Sequence, residues 1–133
     1  MIGTLYTSCF SKIKDGKGTK ISVARHVPIW ISQGKYKTEL DFIFIYLAPS
    51  TSLLRKWKNK LITWDEYIKE YIHDLNNGDN IGNIDKEFNF ICDLLDSGED
   101  VTIYCYESSK NSYCHRHILG KIFEKRGYQV TEI

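Results

Sequence analysis

A chain of 133 residues, 42% apolar and 14% aromatic, has the makings of one hydrophobic core and excludes a disordered polymer. Its net charge of +1 argues against a dedicated duplex-binding domain, and its longest apolar run, residues 42–48, is far too short to cross a bilayer. Residues 1–4 lack the basic start and apolar stretch of a secretion signal, so a cytoplasmic protein of one domain, residues 1–133, is expected.

In chain order, residues 5–9 read as a first strand and 21–24 as a second, with Gly16-Lys17-Gly18 marking the turn between them. Phe42 to Leu47 is continuously apolar, which predicts a third strand buried on both faces, halted by Pro49. Ser50-Thr51-Ser52 can cap a short helix carrying Leu53, Leu54, Trp57 and Leu61, with Arg55, Lys56, Lys58 and Lys60 on its other face. Thr63 to Glu66 is a capping box, and Trp64, Tyr67, Ile68, Tyr71, Ile72 and Leu75 follow at helical spacing. Residues 76–83, rich in Gly and Asn, predict a loop. Asp85 then caps a helix that buries Phe88, Ile91, Leu94 and Leu95 and stops at Gly98. A strand over 101–106, a helix over about 112–126 stopped by Gly127, and a last strand over 128–132 complete the chain. Helix, tight loop and apolar strand in succession predict an α/β fold: a Rossmann-like, mostly parallel sheet with helices on both faces.

The chemistry concentrates near the C-terminal end. Alternation puts Cys105 and Glu107 on one face of their strand, and the following helix opens with Cys114-His115-Arg116, its first N–H groups free. His115 shares the inward face of Ile118, Leu119, Ile122 and Phe123, and His117 points away. A helix N-terminus beside an Arg favours a phosphate or carboxylate and lowers the pKa of a nearby thiol, so Cys114 is a candidate nucleophile. The bland alternative makes Cys114 a small buried residue, His115 a hydrogen-bonded core histidine and Arg116 the partner of Glu107. A carboxylate at a strand end has no packing reason to be there without a cation or ligand, which favours a pocket. The cysteines at 9, 92, 105 and 114 show no C-x-x-C spacing; reduced thiols are the default, and no metal site or cofactor is expected. Cys105 reads as a packing residue, and a Cys105–Cys114 pair as a redox switch is the minor alternative. Residues 1–60 hold eleven Lys and Arg against three acids, and residues 61–100 two against eleven. This is either a site of positive potential or two solvated faces of opposite sign.

On Ile103-Tyr-Cys-Tyr-Glu107 and Cys114-His-Arg-His-Ile-Leu119, the chain resembles the domain of unknown function 488 family, whose members carry a Cys-x-Glu strand end followed by Cys-His-Arg opening a helix. Residues 6–12, Ile21-Ser22-Val23 with Pro28-Ile29-Trp30, and Tyr46-Leu47-Ala48-Pro49 with Trp57-Lys58 extend the likeness more loosely. Where the family pattern often has Asp-Val-Arg, this chain has Ser22-Val23-Ala24-Arg25, keeping the Arg without the acid. The resemblance implies a small Rossmann-like fold with a pocket at the two motifs: Cys105, Glu107, Cys114, His115 and Arg116, with Arg25, Ser11 and Lys12 as neighbours from other strand ends. Trp30 and Trp57 are either stacking faces for a ligand or core residues.

Three functions follow as expectations. In the first, a small anionic, nucleotide-like ligand or a nucleic-acid end binds, its anion held by Arg116, Arg25 and the helix N-terminus. In the second, an enzyme, a hydrolase or transferase, acts on such a ligand, with Cys114 as nucleophile, His115 as acid–base group and Glu107 orienting it or activating water. The third is a structural or protein-interaction role for the acidic stretch. The Ile-, Lys- and Asn-rich composition points to an AT-rich genome, bacterial or phage.

Overall fold

The computed structural model describes residues 1–34, 38–106 and 113–133. Strands β1 (Leu5–Cys9), β2 (Thr19–Ser22), β3 (Phe42–Ile43), β4 (Val101–Cys105) and β5 (Val130–Glu132) form one sheet in the order β3-β2-β4-β1-β5. Every neighbouring pair is parallel, so the architecture is the expected α/β, Rossmann-like one. Central β4 is buried at all five positions and pairs with β1 from Leu5–Val101 to Cys9–Cys105.

Among the described residues, five helices accompany the sheet: α1 (Ile29–Ser32), α2 (Thr51–Lys58), α3 (Trp64–Asn77), α4 (Ile81–Asp96) and α5 (His115–Lys125). On one face, Leu53, Tyr71, Ile91, Leu95, Leu119 and Phe123 from α2 to α5 close over Leu5, Ile21, Val101 and Ile103. Each such side chain taken fully out of water contributes roughly 1.5–3 kcal/mol. The other face has a thinner cover. There the 3-10 segment Phe10–Asp15 and the single turn of α1 place Phe10, Ile13 and Ile31 against Tyr104, whose hydroxyl donates to the Ile13 carbonyl at 3.2 Å. Gly98 and Gly127 follow α4 and α5 with φ of 94° and 97°, the left-handed stops read from the sequence.

The third strand departs from expectation. Only Phe42 and Ile43 pair with β2, at the sheet edge, and both are exposed. Phe42 and Phe44 instead pack edge-on against Phe90 of α4, and the chain turns into a 3-10 segment at Ile45–Leu47. Two side chains capture that segment: the Tyr71 hydroxyl donates to the Leu47 carbonyl, and the Leu47 amide donates to the Glu87 carboxylate at 3.0 Å. The loop expected at 76–83 shrinks to residues 78–80, because α3 runs to Asn77 and α4 starts at Ile81, where buried Ile84 anchors its first turn. Among the described residues, no helix is long and apolar enough to cross a membrane.

Connections fix where a ligand could enter. Strand β4 leads to α5 on the heavily covered face, whereas its neighbours β1 and β2 lead to the 3-10 segment and to α1 on the other. Adjacent strands whose connections diverge leave a crevice at their carboxyl ends.

Candidate functional site

That crevice is occupied by a pocket of about 1070 Å³. Its base is made by Ala24, Arg25 and His26 after β2, Cys105 at the end of β4 with Tyr106 after it, and Tyr113 and Cys114 leading into His115 at the start of α5. Its outer wall is α2 and the turn behind it, which contribute Arg55, Trp57, Lys58 and Lys60. Ser50 holds α2 in register by accepting from the Leu53 amide at 3.0 Å. Four permanent cations line the pocket, and no carboxylate does among the described residues. The Arg25 guanidinium is aimed by donating through Nε and Nη2 to the Pro49 carbonyl, at 3.2 and 3.1 Å. Trp57 is set by ring contacts with Trp64, Tyr67 and Tyr113 at 5.2, 5.9 and 5.7 Å between centroids.

At the pocket floor Cys105 and Cys114 are joined in a disulfide, with Cα atoms 7.4 Å apart. The expectation of two reduced thiols is corrected here: a β4 end and an α5 start facing one hollow bring the sulfurs together, which a sequence separation of 9 does not reveal. His115 is buried between these sulfurs and β2. Its Nε2 lies 2.6 Å from the Val23 carbonyl oxygen, which can only accept, so Nε2 carries the proton. Its Nδ1 then faces Cys105 Sγ at 3.6 Å and Cys114 Sγ at 3.8 Å. Burial pushes the imidazole pKa down to about 4, against the opposing pull of the Val23 carbonyl, with the nearby Arg116 and His117 charges lowering it further. At neutral pH the ring is uncharged, a base or a ligand rather than a cation.

The sequence-predicted residues divide into two sets. Cys105, Cys114, His115 and Arg25 come together in the pocket. Arg116 does not line it: one residue further around the helix, its side chain is fully buried toward β5, with Nη2 and Nε 3.0 and 3.3 Å from the Glu132 carboxylate. Thr7 also donates to that carboxylate. Ser11 is exposed at the end of β1 with its Oγ 3.1 Å from Cys9 Sγ; it, Lys12 and half-exposed Trp30 lie outside the pocket lining. Glu107 lies outside the described residues. What sequence reasoning missed is the wall. The basic face Arg55, Lys58 and Lys60 was legible as a helix face, but nothing local said that it overhangs the ends of β2 and β4.

A family model described as the active DUF488-N3 subclade matches residues 5–127. No curated protein and no solved structure matches the chain.

Proposed function

We propose a ligand-binding function for this chain, which belongs to the domain of unknown function 488 family in its N3 subclade: it takes a phosphorylated, nucleotide-like molecule or a phosphorylated nucleic-acid end, in a reducing compartment such as the cytoplasm. The observation that carries the reading is the lining of the pocket, with Arg25, Arg55, Lys58 and Lys60 around Trp57, Tyr106 and Tyr113 and no carboxylate among the described residues. A cluster of cations favours a multiply charged anion. Aromatic edges and faces beside them suit a planar base, and a volume of about 1070 Å³ suits a mononucleotide or larger.

The test is a thermal-shift and calorimetric panel run with chelator present: inorganic diphosphate, nucleoside mono- and diphosphates, and short oligonucleotides with and without a 5′ phosphate. Phosphorylated members should stabilise the fold, by about 2.7 kcal/mol at a hundred times the dissociation constant. Arg25→Ala combined with Lys58→Ala should abolish the effect. Stabilisation that is absent, or equal for dephosphorylated members, overturns the reading.

An enzyme is the second reading, favoured by the sulfurs of Cys105 and Cys114 and the unprotonated Nδ1 of His115 at the pocket floor. In the reduced protein the Nδ1 can accept a hydrogen bond from the Cys114 thiol, the nucleophile of a hydrolase or transferase in this reading. Cys114→Ser should then keep ligand affinity and lose turnover; product formation by that variant at the wild-type rate overturns it.

A further inference from the structure

We propose that, in the reduced protein, Cys105, Cys114 and His115 hold a divalent transition-metal ion of the zinc class. The three donor atoms lie within 4.8 Å of one another at the floor of the pocket. At a tetrahedral zinc, with bond lengths of about 2.3 Å to sulfur and 2.0 Å to nitrogen, a sulfur and a nitrogen ligand sit about 3.5 Å apart and two sulfurs about 3.8 Å. The Nδ1 of His115 is already 3.6 and 3.8 Å from the two sulfurs. Only the sulfurs must part from each other. Their Cα atoms stand 7.4 Å apart.

The second observation is the imidazole's orientation. With Nε2–H donated to the Val23 carbonyl, Nδ1 presents a buried lone pair to two sulfurs that, once bonded to each other, carry no proton to give it. A backbone carbonyl fixing the far nitrogen of a histidine is the usual outer support of a metal-ligating ring. Two thiolates and one imidazole select zinc or cobalt over magnesium and calcium. Among the described residues these are three donors, and all three line the pocket.

The disulfide is the two-electron oxidised form of this site. A dithiol reductant supplies two electrons and two protons, becoming a disulfide itself; the freed thiols lose both protons as the ion binds. This assignment makes Cys114 a metal ligand rather than the free nucleophile of the second reading. It stands apart from the anion-binding reading, whose test is run with chelator and reads no metal.

Reduced full-length protein, stripped of metal under anaerobic conditions, would be titrated with cobalt(II) and then zinc. Expected is one ion per chain, with a near-ultraviolet thiolate-to-cobalt charge-transfer band and the visible bands of a tetrahedral ion. Cys105→Ser and Cys114→Ser should each cut the charge-transfer band by about half and weaken binding by about tenfold or more. Cys92→Ser, a buried cysteine elsewhere in the core, should change neither. Prior oxidation should abolish uptake. Reduced wild type that takes up no cobalt, or whose cobalt spectrum is the same in the Cys105→Ser variant, overturns the proposal.

Discussion

Lys60 carries a left-handed backbone, φ 59°, which a side chain disfavours by about 1 kcal/mol and glycine does not. It follows α2 at the position where the Leu61 amide reaches the Lys56 carbonyl at 2.9 Å and the Lys60 amide reaches Trp57 at 3.1 Å, the paired bonds of a helix ending that usually takes glycine. The same residue lines the pocket. Lys60→Gly should therefore raise the unfolding free energy by about 1 kcal/mol, read as a higher urea midpoint at unchanged slope, while weakening diphosphate binding. A variant that gains no stability removes the strain argument. Arg116 gives the opposite case. Sequence put it in the pocket because it stands next to His115, but neighbours on a helix point about 100° apart, and that turn carries it to Glu132. Arg116→Met leaves a carboxylate that is 28% exposed without its cation and should cost about 3 kcal/mol in urea unfolding. Ligand affinity per folded molecule should stay nearly unchanged; a large affinity loss would return Arg116 to the site.

Elements with a local signature were legible. The Thr63 hydroxyl accepts from the Glu66 amide at 3.2 Å and the Glu66 carboxylate accepts from the Thr63 amide at 2.9 Å, so four letters of sequence sufficed to start α3. The segment 42–47 was illegible for the converse reason: its conformation is set by Phe90, Tyr71 and Glu87, which lie on helices far along the chain. Glu87 also makes that segment pH-sensitive. Burial raises its carboxyl pKa to about 7, although the Leu47 and Tyr46 amides pull it down. A folded pKa above the unfolded value means that the native state binds the extra proton. The resulting stability is present below about pH 4.5 and is lost as pH rises through about 7. The group is half exposed, so solvent screening reduces the loss to the order of 1 kcal/mol. Glu87→Gln keeps an oxygen acceptor for the Leu47 amide and removes the titration. Urea unfolding at pH 5 and pH 8 should show the wild type losing stability over that interval and the variant losing less; parallel curves would mean that Glu87 does not titrate there.

At the scale of the whole molecule, the uneven spread of charge along the sequence left two readings open, and only the fold weighs them. All four permanent cations of the pocket come from the first 60 residues, and the acid-rich stretch 61–100 forms α3 and α4. Fold class and the motif half of the pocket were readable because parallel strands deliver their carboxyl ends to one edge; the basic wall was not, because its placement over that edge is tertiary. Charges at the pocket mouth should act on an arriving anion, whereas a charge at the far end of α5 should not. That helix opens at the pocket and runs eleven residues to Lys125, roughly 15 Å away at 1.5 Å per residue, beyond the ~8 Å Debye length at physiological salt. Lys58→Glu and Lys125→Glu change the net charge equally. Lys58→Glu should weaken diphosphate binding about tenfold at low salt and lose much of that effect as salt is raised, and Lys125→Glu should leave affinity within about twofold throughout. Equal weakening by both would mean that net charge, not the arrangement of cations around the ends of β2 and β4, attracts the anion, and the pocket would lose its claim as the binding site.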